Sequence, residues 1–215
     1  MNNLLNGLVH LQFNFMSFQS KDIAFTKDQI QKIGNTIIFL SGRIKDLNKT
    51  KILKILFLLE EASIKKYSYP FFGIDFQIWK HGPVAKDIFI DLSEDAPTLL
   101  AEYIQKNDSN PTVFIGLREF CDDEFSDNDI DLLNIITDFA KDKSANSLVK
   151  HTHSHNSLWR KSAIRMGVLD VLENELINST EFYVDFGLLF ENNQLMLQGY
   201  EDAKENVAFV RHLKL

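Results

Sequence analysis

An α+β fold, predominantly α-helical and with a small antiparallel sheet, is what three features of this sequence predict. Apolar residues recur at helical spacing through most of the chain, and one stretch, 50–66, is apolar almost all round. Two short stretches, 74–79 and 113–120, are patterned as strands. The turn signals between them are brief, and no linker divides the 215 residues, so they read as a single domain with elaborated ends.

Taken in order, residues 1–25 mix apolar and polar positions without clear helix caps. The first well-defined helix is expected over 28–44, where Ile30, Ile33, Ile37, Ile38, Leu40 and Ile44 share helical spacing and Gly42 loosens the end. The second, over 50–66, takes Asn48 or Thr50 as its cap. Ile52, Leu53, Ile55, Leu56, Phe57, Leu58 and Leu59 surround it, so it is the central core helix. Glu60, Glu61, Lys65 and Lys66 are expected to return it to water. After the break at Tyr69-Pro70, Ile74, Phe76 and Ile78 alternate with Asp75, Gln77 and Trp79 as in a strand. Gly82-Pro83 is expected to end that strand, with Pro83 opening a helix that carries Val84, Ile88, Phe89 and Leu92.

A short helix is expected over 98–105, then a loop at 106–111, then the strand 113–120, placed to pair with 76–80. Ser126 begins another helix, with Asp127 and Asp129 near its positive end and Ile130, Leu133, Ile136 and Ala140 on its inner face. Helices at 144–149 and 158–166 flank the polar stretch 151–156, and one more covers 169–177. Residues 183–190 and 195–198 suggest a hairpin about Glu191-Asn192-Asn193-Gln194, before a last helix over 200–213.

Composition narrows the function. With 23 basic residues against 30 acidic, the chain carries −7, whereas a protein gripping phosphates presents a basic face. Nucleic-acid binding is therefore not expected. The single cysteine, Cys121, excludes an internal disulfide or a Cys-based zinc cluster and suits a reducing cytoplasm. No apolar run approaches the ~20 residues of a membrane span. Residues 4–18 lack a preceding basic residue and a small-x-small cleavage site. They read as part of the fold or a docking arm rather than a signal peptide. The 18 Phe, against 5 Tyr and 2 Trp, carry no polar handle and belong in core or interface.

Few motifs carry chemistry. His151, His153 and His155 would share one face of a strand and could then bind zinc or iron; on a helix His153 turns away from the other two. The favoured reading is a polar connection between helices, with one imidazole hydrogen-bonded and the others solvated. Asp127, Asp129 and Asp131 begin like a calcium loop, but Leu132 stands where the sharp turn needs Gly, and Asp138 where a bidentate Glu is usual. The acidic run Asp122, Asp123, Glu124 and Asp127 reads instead as a solvated face, and next as a docking surface for a basic partner. Cys121 has no neighbouring base to activate it. Glycine-rich phosphate loops and the GxSxG elbow are absent, so no cofactor, metal or catalytic residue is assigned.

Three segments, in order, resemble the Panacea domain family, whose members include SocA-like antitoxins and phage-associated GepA-like proteins. They are the lysine-led run from Lys51 to Phe57, the aromatic-x-x-Gly-Pro-Val signature at Trp79, Gly82, Pro83 and Val84, and Thr152-His153 followed by Trp159. The likeness covers about 48–163. It departs at His81, where the family commonly has Tyr, and at Glu60 and Glu61, where small or polar residues are common. The resemblance implies a compact helical core over 46–165, flanked by an extension with the first helix at 1–45 and by a C-terminal extension, 166–215, packed on that core. It implies a cytoplasmic, non-enzymatic antitoxin that neutralises a cognate toxin, encoded nearby, by direct contact. Some relatives deliver the toxin to a protease. Lys51, Trp79, Gly82, Pro83, Thr152, His153 and Trp159 are then signature positions with a structural role. The rival readings are a metal-dependent enzyme built on the three histidines and a phage-related interaction protein without an antitoxin role.

Overall fold

Side-chain caps set where most of the helices begin. In the computed structural model, which describes residues 25–214, the elements run α1 (Lys27–Ser41), α2 (Lys49–Tyr67), β1 (Gln77–Trp79), β2 (Gly82–Val84), α3 (Lys86–Asp91), β3 (Ile104–Asn107), β4 (Asn110–Gly116), α4 (Asp127–Ala140), α5 (Ala145–Thr152), α6 (Leu158–Arg165), α7 (Leu169–Glu173), a 3₁₀ turn (Phe186–Phe190) and α8 (Gln194–Lys214). Thr26 and Ser126 form capping boxes with Gln29 and Asp129. Asn48, Ser144 and Ser157 each accept a hydrogen bond from an N–H of the turn that follows. The stretch 4–18 lies outside the described residues.

Helix α2 is the hub. Ile52, Ile55, Leu56 and Leu59 are fully buried, and α4, α5 and β2 pack around it. Phe57 meets Phe76 edge-on at 5.3 Å and Phe186 at 5.9 Å, so rings from three parts of the chain close one core. No helix among the described residues is long and apolar enough to cross a membrane.

The sheet differs from expectation. Residues 113–120 do not pair with 76–80. Instead two local antiparallel hairpins form, β1 with β2 (Trp79 opposite Gly82) and β3 with β4 (Ile104 opposite Gly116). The reason is the turn at Lys80-His81. Gly82 has φ +99°, a conformation that L side chains rarely adopt, and it turns the chain straight back on itself. Gly82-Pro83 thus opens the return strand rather than ending the sheet. Pro83 opposes Ile78 in the pair next to Trp79–Gly82, where no ladder N–H is required.

Other corrections have equally local causes. The helix expected over 98–105 is a turn leading into β3, because the buried Asp91 carboxylate accepts the N–H groups of Thr98, Leu99 and Leu100 at 2.7, 2.7 and 3.1 Å. The helix over 169–177 stops at Glu173, and Glu175 is left-handed at φ +60°. No hairpin forms about 191–194. Asn193 accepts the Met196 N–H and so starts α8 earlier than expected. Glu60 does not return to water: it is 1% exposed, and Glu61 is half-buried.

Candidate functional site

The β1–β2 hairpin is where the signature residues converge. Three of its carbonyls each face a side-chain nitrogen from a different element. Lys54 Nζ of α2 donates to the Pro83 carbonyl at 3.0 Å. His153 Nε2, just after α5, lies 2.9 Å from the Lys80 carbonyl. Trp159 Nε1 of α6 donates to the Trp79 carbonyl at 3.1 Å. On the far side Thr180 Oγ1 donates to the Ile78 carbonyl at 2.8 Å. His153 also packs on Trp159, ring centroids 4.2 Å apart.

Gly82 sits at the centre of this clamp. A Cβ there would lie 2.9 Å from Lys54 Nζ, 3.0 Å from Thr152 Oγ1 and 3.1 Å from His153 Cε1. Thr152 is buried and donates to the Val149 carbonyl. Trp79 is half-buried, edge-on to Phe89 at 5.0 Å, and its Nε1 donates to Gln77 Oε1. Lys51 stands apart, fully buried with its ammonium on Asp46. Lys54 was therefore the lysine that sequence reasoning passed over. Its signal was a second cation inside a helix otherwise apolar all round, which must find a buried acceptor.

Burial shapes the charges. It lowers Lys54 from 10.5 to about 7, with no carboxylate to oppose the shift. His153 faces two carbonyls, Val149 at 2.7 Å and Lys80 at 2.9 Å, an arrangement suited to imidazolium. Burial nevertheless outweighs those contacts, and Lys54 and His81 add to it, so His153 lies below the ordinary imidazole value. A neutral ring donates from one nitrogen only, and one of the two contacts is then a full hydrogen bond. At the other end of α2, burial raises Glu60 to about 7 although its carboxylate accepts the N–H groups of Phe72 and Gly73 at 2.7 and 3.1 Å.

The three histidines do not converge. His151 is exposed against Phe139, His155 is exposed, and His153 is engaged with backbone. Among the described residues no group of three His, Cys, Asp or Glu is placed to hold a metal ion. Cys121 is half-buried, its N–H donating to Asn35 Oδ1.

The acidic run lies elsewhere, before and at the start of α4. Asp122, Asp123 and Asp127 are exposed and Glu124 is half-buried. Glu124 and Asp123 edge an open depression of about 500 Å³ that Tyr67, Tyr69 and Phe125 also line. Lys32 pairs with Asp129 at 3.0 Å and lies over the Phe71 and Phe125 rings. At the hairpin, by contrast, Lys54, His153, Trp159 and Thr180 all act on backbone carbonyls, which stiffens a turn.

No curated protein and no solved structure matches the chain. A family model does match, over residues 52–160, just over half of the 215 residues. The matched stretch begins one residue after Lys51 and encloses Lys54, the whole hairpin, Thr152, His153 and Trp159. On that match the chain belongs to the antitoxin SocA-like, Panacea domain family.

Proposed function

We propose that this protein is an antitoxin, acting in the cytoplasm, that neutralises a cognate toxin encoded close by through direct contact and without catalysis. One observation carries the reading. Within the family segment, the side chains of Lys54, His153 and Trp159 are engaged in fastening a hairpin to the core. Side chains used in that way build a scaffold, and membership of an antitoxin family makes a toxin the partner to look for.

The surface we assign to the toxin is the acidic edge at Asp122, Asp123, Glu124 and Asp127. Carboxylates beside aromatic rings receive a Lys or Arg side chain by charge and by cation–π contact. Lys32 is held in that manner within the chain itself. The adjacent reading frame, expressed alone, should arrest growth, and co-expression with this chain should restore it. Replacing Asp122, Asp123 and Asp127 together by Lys should weaken toxin binding by about tenfold or more, with the larger loss at low salt. A neighbouring product that is harmless and does not bind the purified chain ends this reading. Unchanged affinity in the triple variant moves the contact off the acidic edge.

A further inference from the structure

The sheet does not stop at β1. Residues 182–184 run antiparallel along it, with Gln77 opposite Tyr183. The Ile78 N–H donates to the Phe182 carbonyl and the Val184 N–H to the Phe76 carbonyl, each at 2.8 Å. Backbone groups alternate sides along a strand. Those of Phe182 and Val184 therefore face β1, while those of Glu181 and Tyr183 face outward. Among the described residues nothing hydrogen-bonds to the backbone of Glu181 or Tyr183. Glu181, Phe182 and Tyr183 are exposed in succession, Phe182 at 48% and Tyr183 at 41%. Gln77 Nε2 donates to Glu181 Oε2 at 3.1 Å and draws that carboxylate back toward β1. The edge carries neither the proline nor the lysine that commonly protects such strands.

We infer that this edge pairs with the same edge of a second copy of the chain, about a two-fold axis at Phe182. Identical strands related by a two-fold axis run antiparallel. Centring on Phe182 sets each Glu181 against the copy's Tyr183, and these outward-facing pairs exchange about four backbone hydrogen bonds. The two Phe182 rings then meet in the non-bonded pair between them, where side chains lie closest. The charge around the strip favours a copy over a foreign strand. Lys86 pairs with Glu181, and Lys80 with Glu175, so the rim carries both signs in balance. A two-fold rotation can bring the bases of one copy to the acids of the other, whereas a strand of uniform charge meets repulsion from half the rim. Exposed Leu176 and Ile177 add apolar surface nearby. So short an edge gives a weak, concentration-dependent dimer.

Sedimentation of the full chain from micromolar to millimolar concentration should show its mass rising from one chain to two. Tyr183→Pro removes an N–H that no described internal bond uses, and should keep the chain monomeric with unchanged circular dichroism. Phe182→Glu sets like charges face to face and should have the same effect. Phe182→Cys in a Cys121→Ser background should cross-link on mild oxidation, because the facing Cα atoms fall within disulfide range. A chain that is monomeric throughout overturns the inference. So does a dimer that survives both substitutions and resists cross-linking. A monomer whose Tyr183→Pro variant loses its toxin overturns it too, since the edge then belongs to another protein.

Discussion

Lys54 and Glu60 sit on the same helix and approach the same pH from opposite directions. Burial lowers Lys54 from 10.5 to about 7 and raises Glu60 from 4.5 to about 7. Between about 7 and 10.5 the unfolded chain holds the Lys54 proton that the folded chain has released, so stability rises with pH. Between 4.5 and about 7 the folded chain keeps the Glu60 proton that the unfolded chain has lost, so stability falls as pH rises. Together these place a minimum in melting temperature near neutral pH. The lowered His153 removes some stability as pH falls below 6.5 and shallows the acid side. Lys32 and Asp75 act on Glu60, and Lys54 and His81 on His153. Lys54→Met should flatten the alkaline limb and Glu60→Gln the acid limb in melts across a pH series; a wild-type profile with no dip would contradict both assignments. Neither role was legible in the sequence. An acid near the end of a helix looks like solubilising charge, and what buries Glu60 is a pair of N–H groups that return from Phe72 and Gly73. That one histidine of the cluster would be hydrogen-bonded was legible; that it is His153, facing a carbonyl of the hairpin, was not.

Among elements, the β1–β2 hairpin concentrates the dependence. Gly82→Ala forces a side chain into φ +99° and against Lys54 Nζ and Thr152 Oγ1. It should cost about 2 kcal/mol or more in denaturant unfolding. Trp159→Phe keeps the ring against His153 but removes the donor to the Trp79 carbonyl, and should cost about 1 kcal/mol. Hydrogen exchange should then quicken at the Ile78 and Lys80 amides while α1 stays protected. The helices were legible because their caps are written locally, as in Thr26 with Gln29 and Ser126 with Asp129. Strand partners were not. They hinge on whether Gly82-Pro83 starts a helix or turns a strand back, and the answer lies in a backbone angle and in a lysine 28 residues earlier in the chain, counting from Gly82 to Lys54.

For the whole molecule, the family match and the sheet have different limits. The match ends at residue 160, while the hairpin takes its last hydrogen bonds from Asn178, Thr180 and Phe182. A chain ending at Ile177 would leave the N–H groups of Ile78 and Lys80 and the carbonyl of Ile78 without these partners. It should lose its cooperative melt and become sensitive to protease at the hairpin, although the whole matched stretch is intact. The core was legible at this scale, since an all-apolar α2 had to be central. The sheet's completion was not, because residues 178–184 carry a weak strand pattern and act through the Thr180 hydroxyl, the Glu181 carboxylate and a few backbone groups.

That late third strand has a consequence in time. Val84 completes the hairpin's own sequence, and Val184 follows only after 100 more residues, from 84 to 184. At ribosomal speed the gap is about 5 to 20 seconds. For that interval the nascent chain displays a hairpin with one side open. A broken message or a stalled ribosome leaves it open for good. The closed sheet therefore separates chains that have passed Val184 from those that have not.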